Sequence, residues 1–460
     1  MKILIVAFTE SIHTVRWINQ IIDQGWDIRL FSSVDNGVIS SELKKTKVYQ
    51  TFYSNKYKKN KDVKITGIPV FSYDFAIGFR FALKKFFPKY REWYLKWVIK
   101  KFKPDIIHSM EIQHAGYLVN EVKKKWKGKF PKWIVTNWGS DIYFFGQLKE
   151  HKPKIREVLS CGDFYSCECQ RDVGLAKQFG LKSQILPVFP NSGGFDLKKI
   201  SVLRQKGKPS LRQTIVLKGY QDMFGRALVG LDALRICGKS LKDYKLIIYS
   251  APLEVTVAAK LLVQSLGLKL KILPLRSSHQ EILKAHGQAR ISIGLSVSDA
   301  ISTMVLEAMA MGSFPIQTNT SCADEWIENG KTGFLVPPEN PEIIAKAIRT
   351  ALADNQLVDG AAKINLHTIR QRADNKLIKK KIVAFYQDAQ RSSKKSLNAP
   401  RFLSKKKIII PFLIIWIFFN LFLWATFSQY SLRNPSLFQN KYLSQVQSRL
   451  WPLVWRQYLY

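Results

Sequence analysis

Apolar and polar positions in the first part of the chain alternate between short apolar runs and stretches with helical spacing. Ile3–Phe8, Asp27–Phe31, Ile106–His108 and Trp133–Thr136 read as strands, and Thr14–Gln24 and Gly116–Trp126 as helices between them. The opening run reads as a buried first strand; it is too short for a secretory signal and has no cleavage site. The same pattern returns further on. Strands are predicted at Thr214–Leu217, Lys245–Tyr249, Lys269–Leu273, Ile291–Leu295 and Phe314–Gln317. Helices are predicted at Arg226–Cys237, Val255–Leu266, His279–His286, Thr303–Met311 and Pro341–Leu352. Strands alternating with helices argue for parallel sheets covered on both faces. The expected fold class is therefore α/β: two doubly wound, Rossmann-like domains, 1–192 and 214–372, facing a cleft and joined by a polar, basic linker, 193–213.

Past Arg372 the pattern changes. A basic helical connector, 373–407, leads into Ile408–Phe427, twenty residues without a charge. Twenty residues at a rise of about 1.5 Å span a hydrocarbon core of about 30 Å, so 408–427 is expected to be a transmembrane helix. Seven Lys/Arg lie between Arg391 and Lys407, against only Arg433 and Lys441 within a similar distance beyond the span. That asymmetry predicts a single pass through the cytoplasmic membrane with the large domains cytoplasmic. The tail, 428–460, has no acidic residue and carries Trp451, Trp455, Tyr458 and Tyr460, a composition suited to a membrane interface.

Charge extends this picture. Lys and Arg number 72 against 34 Asp and Glu, a formal net charge of +38. Such an excess calls for an anionic partner. No nucleic-acid-binding motif accompanies it, so an anionic membrane and phosphorylated substrates are expected, and nucleic acid is not. Between Arg80 and Lys103, Phe86, Phe87, Tyr90, Trp93, Tyr94 and Trp97 are interleaved with lysines, a pattern that suits an anionic bilayer surface. The five cysteines lack C-x-x-C spacing and a matched histidine pair, so free thiols in a reducing compartment are expected, and no metal site.

Candidate chemistry collects where strands run into helices. Asp299 and Glu307 sit eight residues apart across the turn from Ile291–Leu295 into Thr303–Met311. In open α/β sheets ligands bind beyond the strand carboxyl ends, where helices present free N–H groups. The two carboxylates can therefore reach two hydroxylated parts of one ligand, with the amides of Ile301 and Ser302 facing phosphates. Lys218 and Arg226 flank the first strand and helix of the second domain and suit a diphosphate. In the first domain His13 follows strand one; His108, Glu111 and His114 surround one strand end and are the expected acceptor-side residues; Asp141 closes the next strand.

The run Asp299-Ala-Ile-Ser-Thr-Met-Val-Leu-Glu307, continued by Ala308-Met-Ala-Met-Gly312-Ser-Phe-Pro315 and Glu325-Trp-Ile-Glu-Asn-Gly330, resembles the E-x7-E region of retaining GT-B glycosyltransferases of family 4, glycosyl transferases group 1. Asp replaces the first Glu. Ser11-Ile-His13-Thr-Val-Arg16-Trp17, Gly139-Ser-Asp141 and Pro190-Asn-Ser-Gly-Gly194 are similar to further segments of that family. The resemblance covers nearly all of residues 1–352. It implies that Glu307 binds the nucleotide ribose and Asp299 lies near the donor sugar, with Asp141 and His13 in the catalytic cleft. The family's Gly-Arg with a later Lys is here reordered as Lys218-Gly and then Gly-Arg226, so which cation meets which phosphate stays open.

Together these features predict a membrane-anchored cytoplasmic transferase of the surface-polysaccharide type. It would move a sugar, with retention, from a nucleotide-sugar to a lipid-linked saccharide. The donor is a substrate, and no cofactor or metal is expected. The alternative is a non-catalytic membrane scaffold that keeps the fold.

Overall fold

A computed structural model of the chain describes residues 1–35, 37–54, 62–70, 72–275 and 277–392. The expected span 408–427, the tail 428–460 and the end of the connector lie outside the described residues. Among the described residues no helix is long and apolar enough to cross a membrane.

The first half is an eight-stranded sheet, ordered β4-β3-β2-β1-β5-β6-β7-β8. Its strands are β1 Lys2–Ala7, β2 Asp27–Ser32, β3 Thr46–Ser54, β4 Val63–Val70, β5 Ile106–Met110, β6 Lys132–Thr136, β7 Phe164–Ser166 and β8 Gln184–Ile185. The second half is a six-stranded sheet, ordered β11-β10-β9-β12-β13-β14. Here the strands are β9 Thr214–Lys218, β10 Lys245–Tyr249, β11 Lys269–Ile272, β12 Ile291–Gly294, β13 Phe314–Thr318 and β14 Phe334–Val336. Every pairing is parallel. Five of the six residues of β1 are buried, as a strand with helices on both faces requires. The order reverses between β1 and β5 in one sheet and between β9 and β12 in the other. These are the switch points at which open α/β sheets leave a crevice beyond their strand ends.

Two stretches differ from the sequence-based expectation. The segment 193–213 is not a bare linker. It carries the helix Leu197–Ser201, whose Ile200 is buried in the second half, and Arg212 donates to the carbonyls of Ala289 and Met311. Its lack of periodicity reflects anchoring by single side chains rather than by one apolar face. The connector helix, Asn375–Arg391, leaves the second half and packs back onto the first. Ile378, Ile382, Phe385, Tyr386 and Ala389 are buried there with Ile3, Ile5 and Trp17. The outgoing and returning crossings lie side by side: Phe195 donates its N–H to the Ala373 carbonyl at 2.8 Å, and Asn375 donates to the Phe195 carbonyl at 2.9 Å. The apolar stripe of this helix was therefore designed for a protein core, with its lysines left outward.

The basic aromatic stretch forms two helices, Tyr73–Phe86 and Tyr90–Phe102. Leu95, Val98, Ile99 and Phe102 face the core. On the outside Phe81, Phe86, Trp93 and Trp97 remain 46–71% exposed.

Candidate active site

Glu307 sits in the middle of the helix Thr303–Met311, which is buried on nearly every side. Its carboxylate is therefore held in an apolar setting, and burial alone would push it toward protonation. The hydrogen bond from His279, joined by the charge of Arg16, outweighs burial and holds it below the ordinary carboxylate value. His279 Nε2 lies 2.9 Å from Oε1, whereas His286 Nε2 is 3.7 Å from Oε2. An ionised carboxylate is acceptor-only and presents about four lone-pair sites, enough for a vicinal diol.

Around Glu307 the two halves of the chain contribute charge together. Arg16 and His13 come from the helix Ile12–Ile21 after β1, and Lys218 ends β9. Burial, then Arg16 and Lys218, lower the His13 ring to about 4 despite the opposing field of Glu307. His13 is therefore neutral at pH 7; among the described residues its buried Nδ1 has no hydrogen-bond partner, and its ring lies 5.5 Å from that of Trp138. Lys218 rests over the Tyr220 ring at 4.3 Å. Ile301 and Ser302 are buried at the open end of the Thr303–Met311 helix, and among the described residues neither backbone amide has an acceptor. Free amides at a helix start carry partial positive charge suited to phosphate oxygens.

Asp299 precedes these amides. Its Oδ1 accepts from the Ala300 N–H at 2.9 Å, and Arg171 Nη2 donates to its carbonyl at 2.7 Å. Burial raises its carboxyl, opposed by Lys218 and Arg171. The contact between halves continues through Ser298 Oγ to Ser140 Oγ at 2.9 Å.

Not every sequence candidate joins this group. His108 is fully buried in β5, with Nδ1 2.7 Å from the Tyr386 hydroxyl and Nε2 2.6 Å from Thr136 Oγ1. Burial lowers its ring to about 3. It belongs to the core beneath the returning helix rather than to the acceptor side, because its place in β5 turns it toward the layer that the helix Asn375–Arg391 covers. Arg226 is turned to Glu339 (Nε to Oε1, 2.9 Å) and to the carbonyl of Gly225, whereas Arg16 acts on Glu307 and Lys218 acts on His13 and His286 beside it.

Glu111 and His114 stand at the β5 end, where Glu111 has a left-handed φ of 85° and opens a π-helical turn, Ile112–Gly116. The Glu111 carboxylate accepts from the amides of His114 and Ala115. Burial opposes the charge on His114, but Glu111 wins and raises its ring above the ordinary value. Asp141 accepts from the amides of Trp138 at 2.9 Å and Ile112 at 3.2 Å, so it ties together the loops after β5 and β6. Burial, and then the Glu111 charge, raise its carboxyl to about 8.

Arg16, His279 and His286 were missed in the sequence. Arg16 stands inside the Ser11–Trp17 motif, so a signal for it was present; the two histidines lie on a neighbouring helix whose approach to Glu307 the sequence does not mark. The cysteines also differ from expectation. Cys169 and Cys322, one from each half, are joined in a disulfide, while Cys161, Cys167 and Cys237 are free. A separation of 153 residues left no local spacing to read. Glu325 lies near these sulfurs, but its Oε1 accepts from the amides of Gln170 and Arg171.

Two doubly wound halves with facing switch points define the GT-B class of fold. The profile described as Glycosyl transferase 4-like matches residues 2–162, and that described as Glycosyl transferases group 1 matches residues 231–365. Each half of the chain thus matches a glycosyltransferase profile, and the two halves together have the GT-B fold. Among solved structures it is similar to a sucrose-phosphate synthase from Thermosynechococcus elongatus (16% identity, TM-score 0.62), covering 84% of this chain and 98% of that one. It is also similar to the Anabaena HepE protein solved with UDP-glucose (15% identity, TM-score 0.59), covering 84% and 100%. A third is a lipopolysaccharide outer core galactosyltransferase, WaaB (14% identity, TM-score 0.57), covering 85% and 99%. No curated protein matches the chain by sequence.

Proposed function

We propose that this glycosyltransferase takes its sugar from a nucleotide-sugar and passes it, with retention of configuration, to a lipid-linked saccharide at the cytoplasmic membrane face. The observation that carries the donor assignment is the ionised, buried carboxylate of Glu307, with Lys218 and the free amides of Ile301 and Ser302 nearby. A carboxylate for ribose hydroxyls beside cations and helix amides for a diphosphate is a complementary pair of subsites. The similar Anabaena protein was solved with UDP-glucose.

In this mechanism the diphosphate leaves toward Lys218 and the helix amides, which stabilise its growing charge without requiring a metal. Asp299 lies near the sugar, and neutral His13 offers a hydrogen bond from the opposite half. The acceptor hydroxyl attacks from the face the diphosphate vacates, and the departing phosphate oxygen takes its proton. Glu111, His114 and Asp141 shape the acceptor side. Retention requires no enzyme nucleophile on this route.

The membrane assignment rests on the apolar run 408–427 and on the outward Phe81, Phe86, Trp93 and Trp97 beside Lys84, Lys85, Lys89, Lys100 and Lys101. Aromatic rings with flanking cations suit an anionic lipid interface.

The test is product analysis. The full chain in anionic nanodiscs is incubated with membrane lipid-linked saccharides and radiolabelled nucleotide-sugars, and the new linkage is assigned by NMR. Label entering the lipid fraction with the donor's anomeric configuration is expected. Inverted product, or transfer to water-soluble acceptors alone, would contradict the proposal.

A further inference from the structure

Glu307 is not held by its own helix alone. The neighbouring helix, His279–Gln288, begins with a full capping box in which Ser278 and Glu281 satisfy each other's backbone amides. That cap fixes the first turn and with it His279. His279 and His286 are seven residues apart, nearly two helical turns, so they lie on one face. Both approach the Glu307 carboxylate, but they treat its oxygens differently. Oε1 receives the His279 hydrogen bond at 2.9 Å. Oε2 is 3.7 Å from His286, beyond hydrogen-bond reach, and His286 is anchored elsewhere, with Nδ1 2.8 Å from Ser292 Oγ and its ring against Tyr249.

We infer that His279 is a positioning residue for donor recognition: it holds Glu307 through one oxygen so that the other is presented to the ribose hydroxyls. The inference rests on the donor-site assignment above. Without the His279 hydrogen bond, the carboxylate rotates freely about its last torsion and burial favours its protonated form. The groups facing it are then His286 on the same helix, His13 and Arg16 from the first half, Lys218 at the end of β9, and Tyr249 at the end of β10. None of these occupies the place of His279. Protonation turns part of the carboxyl into an O–H donor and leaves it a poorer acceptor for a diol. His279 remains 27% exposed, so its replacement leaves the core intact.

The experiment compares binding of uridine, guanosine, adenosine and cytidine diphosphates, and of their 2′,3′-dideoxy forms, to the full chain in detergent. Parent, His279→Ala and His279→Asn are measured by calorimetry from pH 5 to 8, with melting temperatures recorded alongside. For the diphosphate that binds, the parent is expected to prefer ribose over dideoxyribose by on the order of 10- to 100-fold, the range of a hydrogen bond to a charged group. In His279→Ala that preference should collapse toward one, and binding should fail at a higher pH on the acid side. In His279→Asn, which keeps a donor, it should return in part. An unchanged preference and unchanged acid limb in His279→Ala would overturn the inference while leaving the donor site standing. Binding of no diphosphate to the parent would overturn both.

Discussion

Gly139 and Ala300 meet backbone to backbone across the two halves: a side-chain carbon on Gly139 would come 2.2 Å from the Ala300 amide nitrogen. Gly139 also holds a left-handed φ of 88°, which other residues rarely adopt. The contact lies one residue from Ser140, which bonds Ser298, and one from Asp299, which Arg171 reaches from the first half. The loop that leads into the helix Thr303–Met311 is thus seated directly on the loop after β6.

Gly139→Ala should therefore force the halves apart where the reacting groups converge. Displacement of about 1 Å costs on the order of 100-fold in rate. Transfer is expected to fall by that much, while nucleoside diphosphate affinity, set mostly within the second half, changes by less than about 10-fold. Steady-state kinetics with parallel calorimetry measure both. Equal loss of the two would point to unfolding of the donor half instead.

Lys218 and Arg226 are expected to separate. Lys218→Ala removes the cation beside His13, His286 and Asp299 and should weaken a nucleoside diphosphate by about 10- to 100-fold, with little effect on the corresponding nucleoside. Arg226 pairs with exposed Glu339, a type of contact worth about 0–1 kcal/mol. Arg226→Ala should leave diphosphate affinity within about 5-fold. The reverse ranking in calorimetry would place the diphosphate on Arg226.

The returning helix predicts a stability effect. The Tyr386 hydroxyl accepts from Trp17 Nε1 at 2.8 Å and contacts His108 Nδ1 at 2.7 Å. Tyr386→Phe leaves two buried polar groups without that partner and should cost about 1–3 kcal/mol in chemical denaturation.

His108 adds a pH dependence of known sign. Its ring falls from an ordinary 6.5 to about 3 in the folded state. The unfolded chain therefore takes up the proton first, so this residue's contribution is complete above about pH 6.5 and declines as pH falls toward 3. The stability advantage of the parent over His108→Gln should shrink between pH 7 and pH 4. An advantage that grows toward acid would contradict the buried, neutral assignment.

Much of this architecture was legible because its central strands are apolar on both faces: β1, β10 and β12 stand out against any helical background. β8, with two residues, and β7 and β14, with three each, are too short to show a period. β4 contains Gly67 and Pro69, which break the alternation of its apolar Val63, Ile65, Ile68 and Val70, and much of it is exposed. Glu307 and Asp299 were readable from their spacing around a strand-to-helix turn. The histidine partners of Glu307 were not, because proximity between neighbouring helices carries no local signature. His108 misled for a related reason: a histidine near a strand end looks the same in sequence whether it faces the cleft or the core.

The most direct test of the donor site is thermal unfolding of the full chain in detergent against a panel of nucleotide-sugars, with Glu307→Gln beside the parent. A ligand at 100 times its dissociation constant adds about 2.7 kcal/mol to stability. One nucleotide-sugar is expected to raise the parent's midpoint and to leave that of Glu307→Gln unmoved. Equal rises in both proteins would show that the donor binds without Glu307 and would contradict the account.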